Sequence, residues 1–169
     1  LNVEPHLDTA RLLADGIPQG VVWGRLKQGE DVVHAGRTLR SADYVAYPNP
    51  ARKAVVGGDN DTPALLHTLC QGAQVLVHEA TYTQAVADKY GASFQHSAAA
   101  SVARFATEAG LPNLVLTHFS ARYQSNPVVS PSIADIETEA AAHYVGQLFL
   151  AEDFARFRLE RAGRFTRVT

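Results

Sequence analysis

The stretch NLVLTHFSARY, residues 113–123, runs apolar from Leu114 to Leu116 and then breaks at Thr117 into His118, Ser120 and Arg122. Three consecutive Leu and Val residues bounded by polar ones are the mark of a short strand buried on both faces, as in a parallel sheet. Two other stretches share that design: AVVGGD (54–59) ends in Asp59, and VLVHEA (75–80) ends in His78 and Glu79. Helix-like segments at about Thr62–Gln71, Thr83–Tyr90, Ser97–Ala109 and Ser132–Val145 separate or follow the strands. Strand and helix in alternation predict an α/β layered fold. The third helix opens on Ser97, a capping residue, and the fourth is preceded by Ser130 and Pro131.

The chain has 169 residues, 46% hydrophobic and 19% charged, enough for a domain with a sizeable core. No apolar run is long enough for a membrane helix, and the opening LNVEPHLDTA lacks a signal-peptide layout. Its one cysteine, Cys70, has no partner for a disulfide and reads as buried filler, which suits a reducing, cytoplasmic setting. The chain opens on leucine, and we expect it to be a piece of something longer. A net charge of −2 excludes a generally basic nucleic-acid binder, so any polyanion must be gripped locally. Five arginines crowd the last nineteen residues, and the alternation in FARFRLER reads as a half-buried edge strand. QLFLAED and FARFRLER are expected to be two strands turning at Glu152–Asp153.

The first fifty or so residues differ. Asp8 is placed to cap a short helix that ends at Gly16, after which glycines and prolines, with a lone Trp23, predict an irregular arm. Pro48 and Pro50 mark the connector to the regular part. The boundaries expected are an arm and connector over 1–52 and an α/β domain over 53–169.

Sites in open α/β sheets are built at the carboxyl ends of strands. Three strands that deliver Asp59, His78 with Glu79, and His118 to one edge therefore suggest a common site. His96, at the start of an alanine-rich helix, can reach the same edge and exchange a proton. Histidine with carboxylate is a ligand set for zinc or manganese at a hydrolytic centre. Each residue also has a plain reading: Asp59 as a turn residue, Glu79 as a cap, Arg122 in a surface ion pair, His118 as a bonded strand terminus. Their convergence favours the site.

The segments GGDN, LVHEATY, HSAAASVA and LTHFSARY, in this order, resemble the second half of ribonuclease Z, the tRNA 3′-processing endonuclease of the metallo-β-lactamase fold. ARLLADGIPQGVVWGRLKQGEDV (10–32) resembles that family's protruding exosite arm. The resemblance implies about half of an αββα sandwich, two Zn²⁺ ions in the complete domain with Mn²⁺ as the alternative, a precursor tRNA substrate and a homodimer. It implies Asp59 as the carboxylate bridging the metals and His118 as a terminal ligand, with metal-bound hydroxide as nucleophile. Glu79 and His96 become a pair that protonates the departing 3′ oxygen, Arg122 a contact near the scissile phosphate, and Arg25 and Lys27 the arm's grip on the tRNA. Asn60, Ala98 and Val21 depart from the family's usual threonine, threonine and proline. The family's His-x-His-x-Asp-His motif has no counterpart, since no two histidines here lie two apart. The remaining ligands are thus expected from a missing amino-terminal half. The alternatives are a small-molecule phosphodiesterase of the same fold and a non-catalytic half-domain.

Overall fold

The computed structural model describes residues 5–46, 52–90 and 95–168. Pro48 and Pro50 lie outside the described residues. The chain forms two compact units, Leu1–Ala51 and Arg52–Thr169.

The first unit opens with β1 (His6–Leu7). Asp8 then accepts a hydrogen bond from the Arg11 amide (3.0 Å) and caps α1 (Thr9–Ala14), which stops before Gly16 at φ 76°. The segment beyond Gly16 is more ordered than its glycine-rich sequence predicts. α2 (Val21–Lys27) leads into a hairpin of β2 (Val32–His34) and β3 (Arg37–Leu39), and α3 (Ser41–Tyr44) runs into β4 (Val45–Ala46), which closes the unit by pairing antiparallel with β1. Ala35 and Gly36, both at positive φ, form the two-residue hairpin loop. Leu12, Ile17, Leu26, Val32, Leu39 and Tyr44 bury one another, and the Trp23 indole donates to the Ile17 carbonyl (3.1 Å). Glycine and proline punctuation here marks turns between small packed elements instead of an irregular arm.

In the second unit four parallel strands lie side by side: β5 (Ala54–Val56), β6 (Val75–Glu79), β7 (Asn113–Thr117) and β8 (Gln147–Leu150). The connections carry a tight 3-10 turn (Pro63–Leu66) running into α4 (His67–Cys70), then α5 (Gln84–Tyr90) with α6 (Ala99–Glu108), then α7 (Ile133–Ala141). Successive strand residues point to opposite faces. Leu76, Leu114 and Leu116 meet Val102, Ala103, Ala106, Ile136 and Ala140 of α6 and α7. Val75 and Val115 join a cluster with Phe165, packed by Val77, Phe149, Phe157 and Leu159.

Three expectations about elements need correction. QLFLAED does not turn into FARFRLER as a hairpin: β8 adds in parallel to the main sheet, and β9 (Arg156–Leu159) pairs antiparallel with β10 (Phe165–Val168), a strand not expected from the sequence. The reason is the aromatic trio Phe149, Phe157 and Phe165, whose rings lie 5.4 to 5.5 Å apart and hold the hairpin against the sheet. Ser97 does not cap α6. Its amide donates to Glu79 and its hydroxyl to the Asn60 carbonyl, while Glu139 of α7 accepts from the Ala100 amide (3.0 Å) and from the Gln84 amide (2.9 and 3.0 Å). One carboxylate thus satisfies the amino ends of two helices. The expected helix over Thr62–Gln71 is split, its first turn tightened by the Asn60 side chain, which accepts from the Thr62 amide at 2.9 Å.

Candidate metal centre

β5, β6 and β7 end side by side; Asp59 and His118 follow the ends of β5 and β7, and His96, shortly before α6, joins them. One ligand atom each from Asp59, His96 and His118 lie within 4.8 Å of one another. His118 Nε2 is 3.7 Å from Asp59 Oδ1, and both side chains are about half exposed or more, at 51% and 64%. Two donors at about 2.0–2.2 Å from one tetrahedral ion sit roughly 3.4 Å apart, so this spacing fits a divalent cation. Three donors leave room for further ligands.

The support beneath these donors is buried. Glu79, 2% exposed, accepts from the Ser97 amide (2.5 Å) with Oε1 and from the Thr81 amide (2.9 Å) and hydroxyl (2.7 Å) with Oε2. Since Thr81 directs its proton to the carboxylate, its oxygen accepts from His118 Nδ1 at 2.9 Å. That fixes the tautomer and leaves the His118 Nε2 lone pair facing Asp59, the arrangement of a metal-ligating imidazole. Glu79 Oε1 also lies 3.7 Å from His96 Nδ1, a buried nitrogen with no hydrogen-bond partner among the described residues. His118 adopts φ 58° and Gln95, just before His96, φ 52°. His118 itself and the residue that leads into His96 thus hold backbone conformations that cost energy for non-glycine residues, as at many functional sites.

His78, expected among the ligand-type groups, is fully buried. It accepts from the Asn60 amide (3.2 Å) through Nε2 and donates from Nδ1 to the Glu79 carbonyl (2.7 Å). It pins the Asp59 loop to the sheet and is absent from the ligand cluster. Of the two glycines before Asp59, Gly57 packs closely, since a Cβ there would stand 3.2 Å from His78, whereas Gly58 has open space. Arg122 donates to the Ser120 hydroxyl and the Tyr90 hydroxyl, both at 3.1 Å, and the bond to Tyr90 raises its pKa above the ordinary arginine value. Arg25, in the first unit, pairs with Glu30 at 2.8 Å, and Lys27 lies two residues on, in the same last turn of α2. An open cleft of about 520 Å³ lies beside His96, lined by Asp61, Thr62, Gln84, Asp88 and Ser101. Thr81, Tyr82 and Tyr90 were missed as site residues by sequence reasoning; for Thr81 the signal was its place two residues beyond Glu79, within side-chain reach.

No family model matches the chain. It is 56% identical over 163 residues to a ribonuclease Z of Pseudomonas putida strain GB-1, covering 96% of this chain and 51% of the relative. It is 58% identical over 161 residues to a ribonuclease Z of Marinobacter nauticus, covering 95% and 50%. Among solved structures, the metallo-β-lactamase fold protein YhfI from Bacillus subtilis matches with a TM-score of 0.50 at 20% identity, covering 73% of this chain and 45% of that one. That likeness gives the fold: part of a metallo-β-lactamase-type α/β domain. The chain spans about half the length of the curated relatives it matches, and over that length it is similar to ribonuclease Z.

Proposed function

We propose that the protein is a metal-dependent endoribonuclease that hydrolyses a phosphodiester at the 3′ side of precursor tRNA. The observation that carries this is the meeting of Asp59, His96 and His118 over the buried carboxylate of Glu79. Asp59 and His118 would hold Zn²⁺, with Mn²⁺ as the alternative. A divalent ion held there supplies Lewis-acid polarisation of the phosphate and activation of water at neutral pH. The remaining ligands come from the part of the protein that corresponds to the other half of the relatives' length.

His96 gives a proton to the departing 3′ oxygen, and Glu79, 3.7 Å from its Nδ1, orients the ring. Arg122 offsets charge that develops on the phosphate. Arg25 and Lys27 bind the tRNA backbone, a positioning contact that lets an acidic protein hold RNA. A second reading of His96, as a third metal ligand, is favoured by its place among the clustered donors. No helix of the described residues is long and apolar enough to cross a membrane. A free, buried Cys70 agrees with a cytoplasmic setting, and pairing of two copies is the assembly we expect.

The test is cleavage of a precursor tRNA carrying a 3′ trailer by the full-length protein. Asp59→Ala should abolish cleavage. Arg25→Ala with Lys27→Ala should raise the KM for tRNA and leave hydrolysis of a small phosphodiester unchanged. Cleavage of the small substrate but never of tRNA would favour a small-molecule phosphodiesterase instead.

A further inference from the structure

A row of rings leads away from the ligand cluster. The His118 and His96 centroids lie 5.2 Å apart, His96 meets Tyr82 edge-on at 6.1 Å, and Tyr82 stacks against Tyr90 at 5.8 Å with planes 29° apart. The Arg122 guanidinium lies 5.2 Å from the Tyr82 centroid and 4.8 Å from that of Tyr90. These tyrosines are unlike Tyr44, Tyr123 and Tyr144, which are each only 3–6% exposed and belong to the cores. Tyr90 is 41% exposed, at the end of α5, and Tyr82 is half-buried. Core packing therefore does not account for two aromatic rings set beside the site.

We propose that Tyr82 and Tyr90 form a stacking shelf for the base of a nucleotide adjoining the scissile phosphate in single-stranded RNA, with Arg122 clamped between ring faces and phosphate. The proposal rests on the ribonuclease reading of the site and adds to it a contact with a base. Every nucleobase has a π-face, so such a shelf tolerates any sequence, as cleavage of many different RNAs at one structural position requires. An arginine already stacked on two rings and bonded to Ser120 and Tyr90 has lost much of its rotamer freedom, and presents a fixed charge.

The experiment measures equilibrium binding of a fluorescently labelled single-stranded oligoribonucleotide to the full-length protein in EDTA, which prevents turnover. The double variant Tyr82→Leu with Tyr90→Leu is expected to raise the Kd about 5- to 150-fold, and Tyr82→Phe with Tyr90→Phe to stay close to wild type. Scanning one abasic sugar along the oligonucleotide should find a position that weakens wild-type binding by a similar factor and leaves the leucine variant unaffected. Wild-type protein that binds RNA while the folded leucine variant binds it equally well overturns the shelf and leaves the ribonuclease reading standing. Loss of affinity in the phenylalanine variant as well also overturns it, by placing the effect in the hydroxyls. Wild-type protein that neither binds nor cleaves RNA overturns both.

Discussion

Thr81 Oγ1 stands 2.9 Å from His118 Nδ1 and 2.7 Å from the Glu79 carboxylate, so a single hydroxyl couples a buried charge to an exposed imidazole. Partners of this kind set the tautomer and basicity of a metal-bound histidine, and removing one costs about 10- to 100-fold in metal affinity. Thr81→Ala should therefore weaken Zn²⁺ binding by about that factor, measured by competition with a chromophoric chelator. Thr81→Ser, which keeps the hydroxyl, should restore it. Equal affinity in all three proteins would mean that Thr81 only packs.

The two readings of His96 separate on metal content. If it is the proton donor, His96→Ala retains the metal and loses about 10²- to 10⁴-fold in kcat, while Asp59→Ala and His118→Ala lose the metal. Glu79→Gln should then lower kcat with the metal still bound. Metal analysis of the purified variants beside single-turnover cleavage decides it. Loss of metal from His96→Ala makes His96 a ligand.

Much of this site was legible in the sequence because its donors follow short apolar strands, and parallel pairing brings the ends of such strands together. β5, β6 and β7 could each be read from three to five residues, and Asp59 and His118 with them. The rest depends on partners far apart in the chain. Ser97 obeys the local rule for an N-cap, yet Glu79 and Asn60 bind it first and Glu139 takes over its task. His78 reads as a ligand-type group because it closes an apolar strand beside Glu79; alternation along β6 turns the two side chains to opposite sides. Tyr82 and Tyr90 are eight residues apart, and only the path between β6 and α5 stacks them. The first unit's core was obscured by its glycines, of which Gly16, Gly29 and Gly36 take positive φ at turns.

Glu139 gives a stability prediction. Its carboxylate accepts from amides at the starts of α5 and α6, so Glu139→Ala leaves two helix ends without their bonds. Losing an N-cap costs about 0.5–2 kcal/mol, and we expect the sum of two, about 1–4 kcal/mol, in urea unfolding. Glu139→Gln keeps an acceptor oxygen and should lose less.

Glu152 carries a pH signature. The Arg167 guanidinium bonds both its oxygens, at 2.6 and 3.0 Å, and holds its carboxyl below the usual carboxylate range. A depressed folded-state pKa means that the pair's contribution is fully present above the unfolded value of about 4.3 and is lost as the pH falls through the lower folded value. The urea midpoint of wild type should thus exceed that of Glu152→Gln at pH 7, and the difference should fade on acidification below about pH 4. Both side chains are well exposed, at 69% for Glu152 and 42% for Arg167, so added salt should shrink the difference at pH 7 too. A difference that persists unchanged at pH 3 and high salt would assign the effect to packing of the hairpin against the sheet.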